Sequence, residues 1–323
     1  MDPCERTLYT TRFSLMGGRA FLRFIDDRGR PTAERIARAA EDEALRIERK
    51  FSRFRDGSVV SEITRDAGRT PVAVDDETVA LIEAALDLAR LTGGRFDPTA
   101  GVLRRAWDFR LARVPGDDEI EALLPLVDHR AVSARDGTVY LRRAGMELDL
   151  GGVGKEYAVD RVADLLVARG VTSAIVDFAG DVRTIGGRGD GRPWSIGVAD
   201  PRASGRCRFS VRLIGGAGVA TSGDYERCFV QDGVRYHHLL DATTGRPARG
   251  IMSATVVAAD AFLAGRIATA AFLLGPSGGL SLLEGLHGVE GVLIAEGGAI
   301  LASSGMGRIS NLPGSLYEAY PAI

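Results

Sequence analysis

Apolar residues recur at three- and four-residue steps in the first part of the chain, which is the spacing of amphipathic helices. The first such segment follows Thr32, and its apolar positions are Ile36, Ala40, Ala44, Ile47, Phe51 and Phe54. A second helix is predicted behind Asp75 and Asp76 and ends at Thr92-Gly93-Gly94, because glycine readily adopts the left-handed conformation that terminates helices. A third helix is predicted over about 117–126.

From residue 147 onwards the pattern changes. A glycine-rich turn precedes a helix that contains Val162, Leu165 and Leu166 and ends at Arg169-Gly170, and the apolar strand 174–176 follows. Short alternating stretches indicate antiparallel strands at 194–198, 208–213, 228–230 and 234–240, the last two joined by a hairpin turn at 231–233. A strand (253–258), two helices (about 260–274 and 278–286) and a strand (289–295) complete the pattern. This order predicts an α+β protein with helices segregated over mixed or antiparallel sheets.

Composition narrows the class of protein only a little. The 323 residues are 45% hydrophobic, as expected of a folded chain with a sizeable core. The formal charge of −2 gives no reason to expect nucleic acid or a membrane surface as a partner. The three cysteines, Cys4, Cys207 and Cys228, lie far apart, which argues against a disulfide framework or a zinc cage and favours a cytoplasmic location. We see no apolar core of a signal peptide and no segment that approaches the roughly 20 apolar residues of a membrane span.

The densest candidate for chemistry is the turn Asp149-Leu150-Gly151-Gly152-Val153-Gly154-Lys155. Three glycines before a helix let backbone N–H groups approach an anion, and the helix N-terminus and Lys155 add positive charge. The spacing fits neither a Walker loop nor a Rossmann turn. The segment therefore predicts either a pyrophosphate site or a glycine-rich turn that only caps a helix.

Three other segments concentrate polar residues. Residues 92–99 place Asp97 and Thr99 around a proline past a helix end, and residues 220–227 gather hydroxyls and carboxylates before a strand. Residues 236–245 contain His237 and His238, followed by Asp241. Adjacent side chains of a strand point to opposite faces, so at most one of the two histidines faces a given cleft. No further His or Cys accompanies them at the spacing of a transition-metal site.

Taken together and in this order, the segments resemble the ApbE family of FAD:protein FMN transferases. The motifs that carry the resemblance are Met16-Gly17-Gly18, Phe96-Asp97-Pro98-Thr99, the Gly-Gly-Val-Gly-Lys turn with Tyr157-Ala158-Val159-Asp160, Ala179-Gly180-Asp181, Ala220-Thr221-Ser222-Gly223-Asp224-Tyr225, His237-His238-Leu239-Leu240-Asp241 with Thr244-Gly245, and Ala268-Thr269-Ala270. They cover nearly the whole chain.

The resemblance implies one ApbE-like domain over residues 1–323, of an α+β fold related to the T-fold, with an FAD cleft between two subdomains. It implies transfer of the FMN half of FAD to a hydroxyl of an acceptor flavoprotein that carries a Ser/Thr flavinylation motif. The product is a phosphoester, and AMP is released. The partners are then FAD and the acceptor, with no nucleic acid and no membrane.

The resemblance also implies roles for individual residues. The candidates for the catalytic base or stabiliser are His238, which we favour, His237 and Asp224. The residues implied to contact FAD are Met16, Phe54, Arg95, Phe96, Asp97, Gly152, Lys155, Asp160, Leu239 and Asp241. The implied ligands of Mg²⁺ are the carbonyl of Gly154 and the side chain of Thr269.

The chain departs from the family pattern at three positions, the first of which is Gly18, where Met-Gly-Thr is commoner than the Met16-Gly17-Gly18 of this chain. The family's Ala-Asp-x-x-x-Thr motif holds the metal with its Asp, and here Gly265 stands in that position, so Mg²⁺ is expected to be weakly held or lost. Arg266 could instead supply positive charge to the phosphates. Glu156 stands where a Gly after the Lys is usual. The alternatives are an FAD-binding carrier or sensor without transfer, an FAD pyrophosphatase that passes FMN to water, and a protein with structural turns only.

Overall fold

The centre of the fold is an eight-stranded sheet in which all neighbouring strands run antiparallel. The computed structural model describes residues 7–213 and 215–312. The strands in these ranges are β1 (Thr7–Leu15), β2 (Gly18–Asp26), β3 (Val72–Ala73), β4 (Val132–Arg135), β5 (Thr138–Leu141), β6 (Ala174–Phe178), β7 (Asp181–Ile185), β8 (Trp194–Ala199), β9 (Cys207–Leu213), β10 (Gly218–Gly223), β11 (Cys228–Gln231), β12 (Val234–His237), β13 (Leu240–Asp241), β14 (Arg246–Pro247), β15 (Ile251–Ala258), β16 (Glu290–Ala295) and β17 (Ile300–Ala302). The order in the large sheet is β1-β2-β6-β7-β10-β15-β16-β17.

The helices are α1 (Arg30–Phe51), α2 (Val59–Arg65), α3 (Asp76–Leu91), α4 (Asp117–Glu121), α5 (Gly154–Ala168), α6 (Ala261–Gly285) and α7 (Met306–Ile309), with 3₁₀ turns at Gly101–Arg105, Leu124–Leu126 and His129–Ala131. Helices α1, α5 and α6 cover one face of the large sheet: α1 and α5 share a core with β2 and β6, and α6 packs on β10, β15 and β16. The hairpin β8–β9 and α7 pack on the opposite face. The structure confirms the predicted α+β class with segregated helices.

The local predictions hold where the sequence pattern is regular. The stripe of α1 is buried from Ile36 to Phe51, but Phe54 lies beyond the helix end and is 73% exposed, so its inclusion was wrong. The third helix is also shorter than predicted. It ends at Glu121, and a 3₁₀ turn follows, because Pro125 lacks the N–H that an α-helix needs.

Two predictions about the ends of the chain need comment. The two predicted C-terminal helices form one element, α6, which kinks at Gly275, where φ is 77°, and at Pro276. By length and composition alone α6 is long and apolar enough to cross a membrane. This finding differs from the expectation that no segment approaches the roughly 20 apolar residues of a membrane span. The apolar side chains of α6 are those of a core helix, since one face packs on the sheet. Cys4 lies outside the described residues, and Cys207 and Cys228 are free thiols.

Candidate functional site

Five segments that are distant in the sequence meet at the N-terminal end of α5. They are joined by short contacts, namely Asp149 N to Pro98 O (2.7 Å), Ala242 N to Arg95 O (2.8 Å), His238 N to Arg227 O (3.1 Å) and Ser222 Oγ to Thr269 Oγ1 (3.1 Å). The glycine-rich turn, the 95–99 loop, the 222–227 loop, the His237-His238 segment and α6 therefore form one cluster. The sequence motifs that resemble the ApbE family converge in space.

The glycine-rich turn is shaped by a close approach of an aromatic ring. The Phe96 ring lies against the backbone of Gly152, where a Cβ atom would come 2.5 Å from Cε2 of the ring. Only glycine fits at this position without moving Phe96. Gly154 begins α5, and the space beside its Cα is open. The helix thus presents its N-terminal amides, which carry partial positive charge, at the bottom of the cluster.

Lys155 adds a full positive charge in the first turn of α5. Its Nζ lies 2.8 Å from Oδ2 of Asp181, which is buried at the start of β7. Burial lowers the pKa of Lys155, but the carboxylates of Asp181 and Glu156 outweigh this effect and raise the pKa to about 12. Lys155 is therefore charged at neutral pH, and its ion pair with Asp181 holds it in place while its side chain is still 32% exposed.

Glu156 points between α5 and α6 and is buried. Its Cδ and Oε1 atoms lie 2.7 and 2.8 Å from the position that a Cβ atom of residue 265 would occupy, so the Glu156 side chain fills the space over Gly265. Its Oε2 atom has no hydrogen-bond partner. Burial and the Asp181 carboxylate raise the pKa of Glu156 to about 8, against the opposite effect of Lys155.

The oxygen atoms near this point fit a hard divalent cation in type. Thr269 is buried one helical turn after Gly265, and its hydroxyl lies 3.1 Å from that of Ser222. The carboxylate of Glu156 has a free oxygen, and Mg²⁺ prefers such oxygen ligands. No group of three or more His, Cys, Asp or Glu among residues 7–213 and 215–312 could by itself hold a metal ion. A cation here would thus need oxygens from substrate or water.

The two histidines differ in their surroundings. His237 is buried, donates from Nε2 to the Ala248 carbonyl at 2.9 Å and packs edge-on against Phe272, so its role is structural. His238 is half-buried, and its Nδ1 atom has no partner. Burial and the positive charge of Arg227 lower the pKa of His238 to about 3, which keeps this imidazole neutral at physiological pH. Among the described residues Nδ1 of His237 has no partner either, so the two imidazoles differ in exposure, and His238 is the one that a substrate can reach.

Three arginines that the sequence reasoning missed lie near one another, and two of them, Arg104 and Arg227, also act on the imidazole of His238. Arg53 and Arg104 each place Nε 3.5 Å from Oδ2 of Asp149, and Arg227 stands close enough that Arg104 lowers its pKa in addition to the effect of burial. The carboxylates of Asp149, Glu147 and Glu226 offset part of this positive charge, since each raises the pKa of Arg53 or Arg227. Such a cluster suits phosphate oxygens. The three arginines come from separated segments of the chain. Only Arg227 lies in a segment that the sequence analysis singles out, at the end of residues 220–227.

Asp224 does not qualify as a free base. Both of its oxygens pair with the guanidinium of Arg202, at 2.7 and 2.6 Å, and the residue is 3% exposed. A carboxylate in a bidentate pair is stabilised in its charged form and has no oxygen directed at a ligand. The prediction of Asp224 as a rival base is therefore not supported by the structure.

Several residues predicted to bind FAD instead hold the loops in place. Asp97 is buried and accepts bonds from Thr99 N and Oγ1 and from His129 N and Nδ1, at 2.6–2.9 Å. It fixes the loop of Phe96 and presents no free carboxylate. Arg95 donates to Asp241 at 2.9 Å, which joins this loop to the histidine segment. Leu239 packs against the core of α6.

Asp160 has a similar positioning role. Its two oxygens accept the backbone N–H groups of Ala261 (3.0 Å) and Phe262 (2.8 Å), so it caps the N-terminus of α6 instead of facing a ligand. Burial raises the pKa of Asp160 to about 6, partly offset by these two bonds. Arg266 lies over the Phe262 ring at 4.7 Å, and the structure does not support its predicted contact with phosphates.

Met16 and Phe54 both lie just beyond the ends of elements, Met16 after β1 and Phe54 after α1. Met16 is half-buried in the turn between β1 and β2, and its N–H donates to Glu48 at 3.2 Å. Phe54 presents an exposed ring flanked by the guanidiniums of Arg53 (4.6 Å) and Arg104 (5.6 Å). Contact of either residue with a flavin nucleotide stays a prediction.

The protein is of the α+β class, and its loops bring basic side chains to the N-terminal end of a helix. The sequence profile of the ApbE family matches residues 10–293, and the chain belongs to this family. A FAD:protein FMN transferase of Treponema pallidum is 36% identical over 299 residues, covering 86% of this chain and 82% of that protein. A Vibrio cholerae FAD:protein FMN transferase is 29% identical over 288 residues, covering 87% and 86%.

Solved structures agree with this assignment. The ApbE protein of Thermotoga maritima superposes with a TM-score of 0.86 at 37% identity, covering 94% of this chain and 99% of that chain. The flavin transferase ApbE from Vibrio cholerae superposes with a TM-score of 0.83 at 28% identity, covering 94% and 100%. These likenesses confirm the predicted family and its α+β fold.

Proposed function

We propose that the chain is a FAD:protein FMN transferase, which moves the FMN half of FAD onto a Ser or Thr hydroxyl of an acceptor flavoprotein. The observation that carries this proposal is the convergence of Lys155, the α5 N-terminus, and Arg104 and Arg227 beside a neutral His238. The relatives named as FAD:protein FMN transferases support the same activity. The diphosphate of FAD is the part of that substrate that this cluster of positive charge would recognise.

The reaction requires one displacement at phosphorus. The acceptor hydroxyl oxygen bonds to the FMN-side phosphorus, the bond from this phosphorus to the bridging oxygen breaks, and AMP leaves with that oxygen. The hydroxyl proton passes to the imidazole of His238. Lys155 and the guanidiniums hold the diphosphate and stabilise the negative charge that develops on its oxygens. No covalent enzyme intermediate is needed.

The diphosphate also affects the basicity of His238. In the free protein Arg227 and burial depress its pKa, and the negative charge of bound FAD opposes the effect of the arginines. His238 therefore becomes a better proton acceptor when the substrate is in place. The site also fits Mg²⁺, which the carbonyl of Gly154 and the hydroxyl of Thr269 would help to hold and which would neutralise phosphate charge.

The experiment is incubation of the purified protein with FAD, Mg²⁺ and an acceptor flavoprotein. We expect AMP, measured by chromatography, and an acceptor that gains the mass of an FMN phosphoester, in equal amounts. An acceptor whose motif Ser or Thr is replaced by Ala is the control and should gain no mass. Free FMN in place of modified acceptor would identify water as the acceptor and a pyrophosphatase, and the absence of all three products would refute the proposal.

A further inference from the structure

The contact between Glu156 and Gly265 is set by the register of two helices. Asp160 on α5 accepts a hydrogen bond from the N–H of Ala261 on α6. Glu156, one turn before Asp160, lies over Gly265, one turn after Ala261. The two helices therefore run in opposite directions past each other at this contact. Another turn along the same register brings Thr269 to the level of the glycine-rich turn before α5. Glu156, Thr269 and the Gly154 end of the turn thus lie at one place.

Two acidic side chains, Glu156 and Asp181, adjoin the single ammonium of Lys155, and Asp181 is the one that contacts it at 2.8 Å. Glu156 is 8% exposed, and its Oε2 atom is left without a hydrogen-bond partner. An unpartnered carboxylate oxygen away from water is costly unless a cation or a donor joins it. The nearest feature on α6 is Gly265, which offers no side chain.

We propose that Glu156 supplies, from α5, the anionic ligand of a divalent cation that binds between α5 and α6 together with the diphosphate of FAD. The hydroxyl of Thr269 and the carbonyl of Gly154 complete the oxygen ligands of the protein, and substrate and water provide the rest. This inference rests on the proposed function for its second ligand, FAD. Gly265 is then the residue that makes room for the Glu156 side chain.

The steric relation between the two positions makes the proposal specific. Aspartate at position 265 would place its Cβ within 2.8 Å of Cδ and Oε1 of Glu156, so Gly265→Asp alone should disturb the site. Removing the Glu156 side chain at the same time removes this clash. The exchanged variant Glu156→Gly/Gly265→Asp then carries one carboxylate in the same space, attached to the other helix.

Mn²⁺ is the probe, because the signal of free Mn²⁺ in electron paramagnetic resonance reports binding without any turnover. The titration is made with the protein alone and with saturating FAD. We expect Glu156→Gln to weaken Mn²⁺ binding roughly tenfold or more, the equivalent of about 1.4 kcal/mol. Asp164→Asn is the matched control, since Asp164 is an exposed carboxylate of the same helix. The exchanged variant should recover most of the affinity that Glu156→Gln loses.

The outcomes separate this proposal from the proposed function. If Glu156→Gln binds Mn²⁺ as tightly as the parent chain, or if the parent binds none while it releases AMP from FAD, the proposal is wrong. If Mn²⁺ binding depends on Glu156 but no AMP forms with any acceptor, the cation site stands and the proposed function fails. Melting curves of each variant show whether it is folded, and the exchanged variant tests the idea even where a single variant is unstable.

Discussion

Protonation of His238 should make the folded protein sensitive to acid. The pKa of this imidazole is lowered to about 3 by burial and Arg227, against about 6.5 in an unfolded chain. Because the pKa of His238 is lower in the folded state, this imidazole binds a proton at a higher pH in the unfolded state than in the folded state. The contribution of His238 to stability is therefore complete above pH 6.5 and is lost as the pH falls towards 3.

The size of this effect follows from the two pKa values. At pH 5 the folded imidazole is still neutral, whereas the unfolded one is almost fully protonated. The free energy of unfolding should therefore be lower than at pH 8 by about 2 kcal/mol from this group alone. His238→Asn removes the titration, so the difference in stability between parent and variant should change by that amount over this pH range.

Urea denaturation of both proteins at pH 8, 6.5 and 5 measures this difference, because all other titrating groups are shared and cancel. His287→Asn, at an exposed position just after the C-terminal end of α6, is the control for replacing a histidine. A constant difference between parent and His238→Asn from pH 8 to pH 5 would refute the assignment of a neutral, desolvated imidazole at this position.

Three further predictions follow from single contacts. Gly152→Ala should destabilise the protein by about 1–3 kcal/mol in urea denaturation, because its Cβ meets the Phe96 ring, and Phe96→Leu should recover part of the loss. Asp160→Ala should cost about 1–3 kcal/mol in the same assay, since it leaves two amides of α6 without their acceptor. Arg227→Gln should raise the pKa of His238, seen as an upward shift of its imidazole titration in NMR, and should weaken the binding of FAD.

The sequence indicated the elements of the fold where the pattern is local. The stripe of α1, the glycine-terminated end of α3 and the hairpin at 231–233 all depend on residues within one or two turns of each other. The hairpin of β1 and β2, which the sequence analysis does not predict, forms one edge of the large sheet. Strand pairing depends on partners elsewhere in the chain, such as β6 beside β2, which periodicity alone does not reveal.

The candidate site was predictable to a similar extent. The glycine-rich turn and Lys155 were found, because anion binding at a helix N-terminus has a local signature. The sequence suggests Asp97 and Asp160 as FAD contacts and Asp224 as a base, because it does not show which acidic side chains already accept bonds from backbone or arginine donors. The arginine cluster was missed for the opposite reason, because nothing local relates Arg53 to Arg227.

Two of the departures from the family pattern, Glu156 and Gly265, are best understood as one structural change. Taken singly, Gly265 removes a carboxylate from the cleft and Glu156 adds one where glycine is usual. In the structure the side chain of Glu156 occupies the space over Gly265, so neither position can change alone without a clash or a void. We therefore expect that chains of this family with Glu directly after the Lys have glycine at the position four before the Thr. A survey of family sequences measures this pairing, and frequent chains with Glu and Asp together would contradict it.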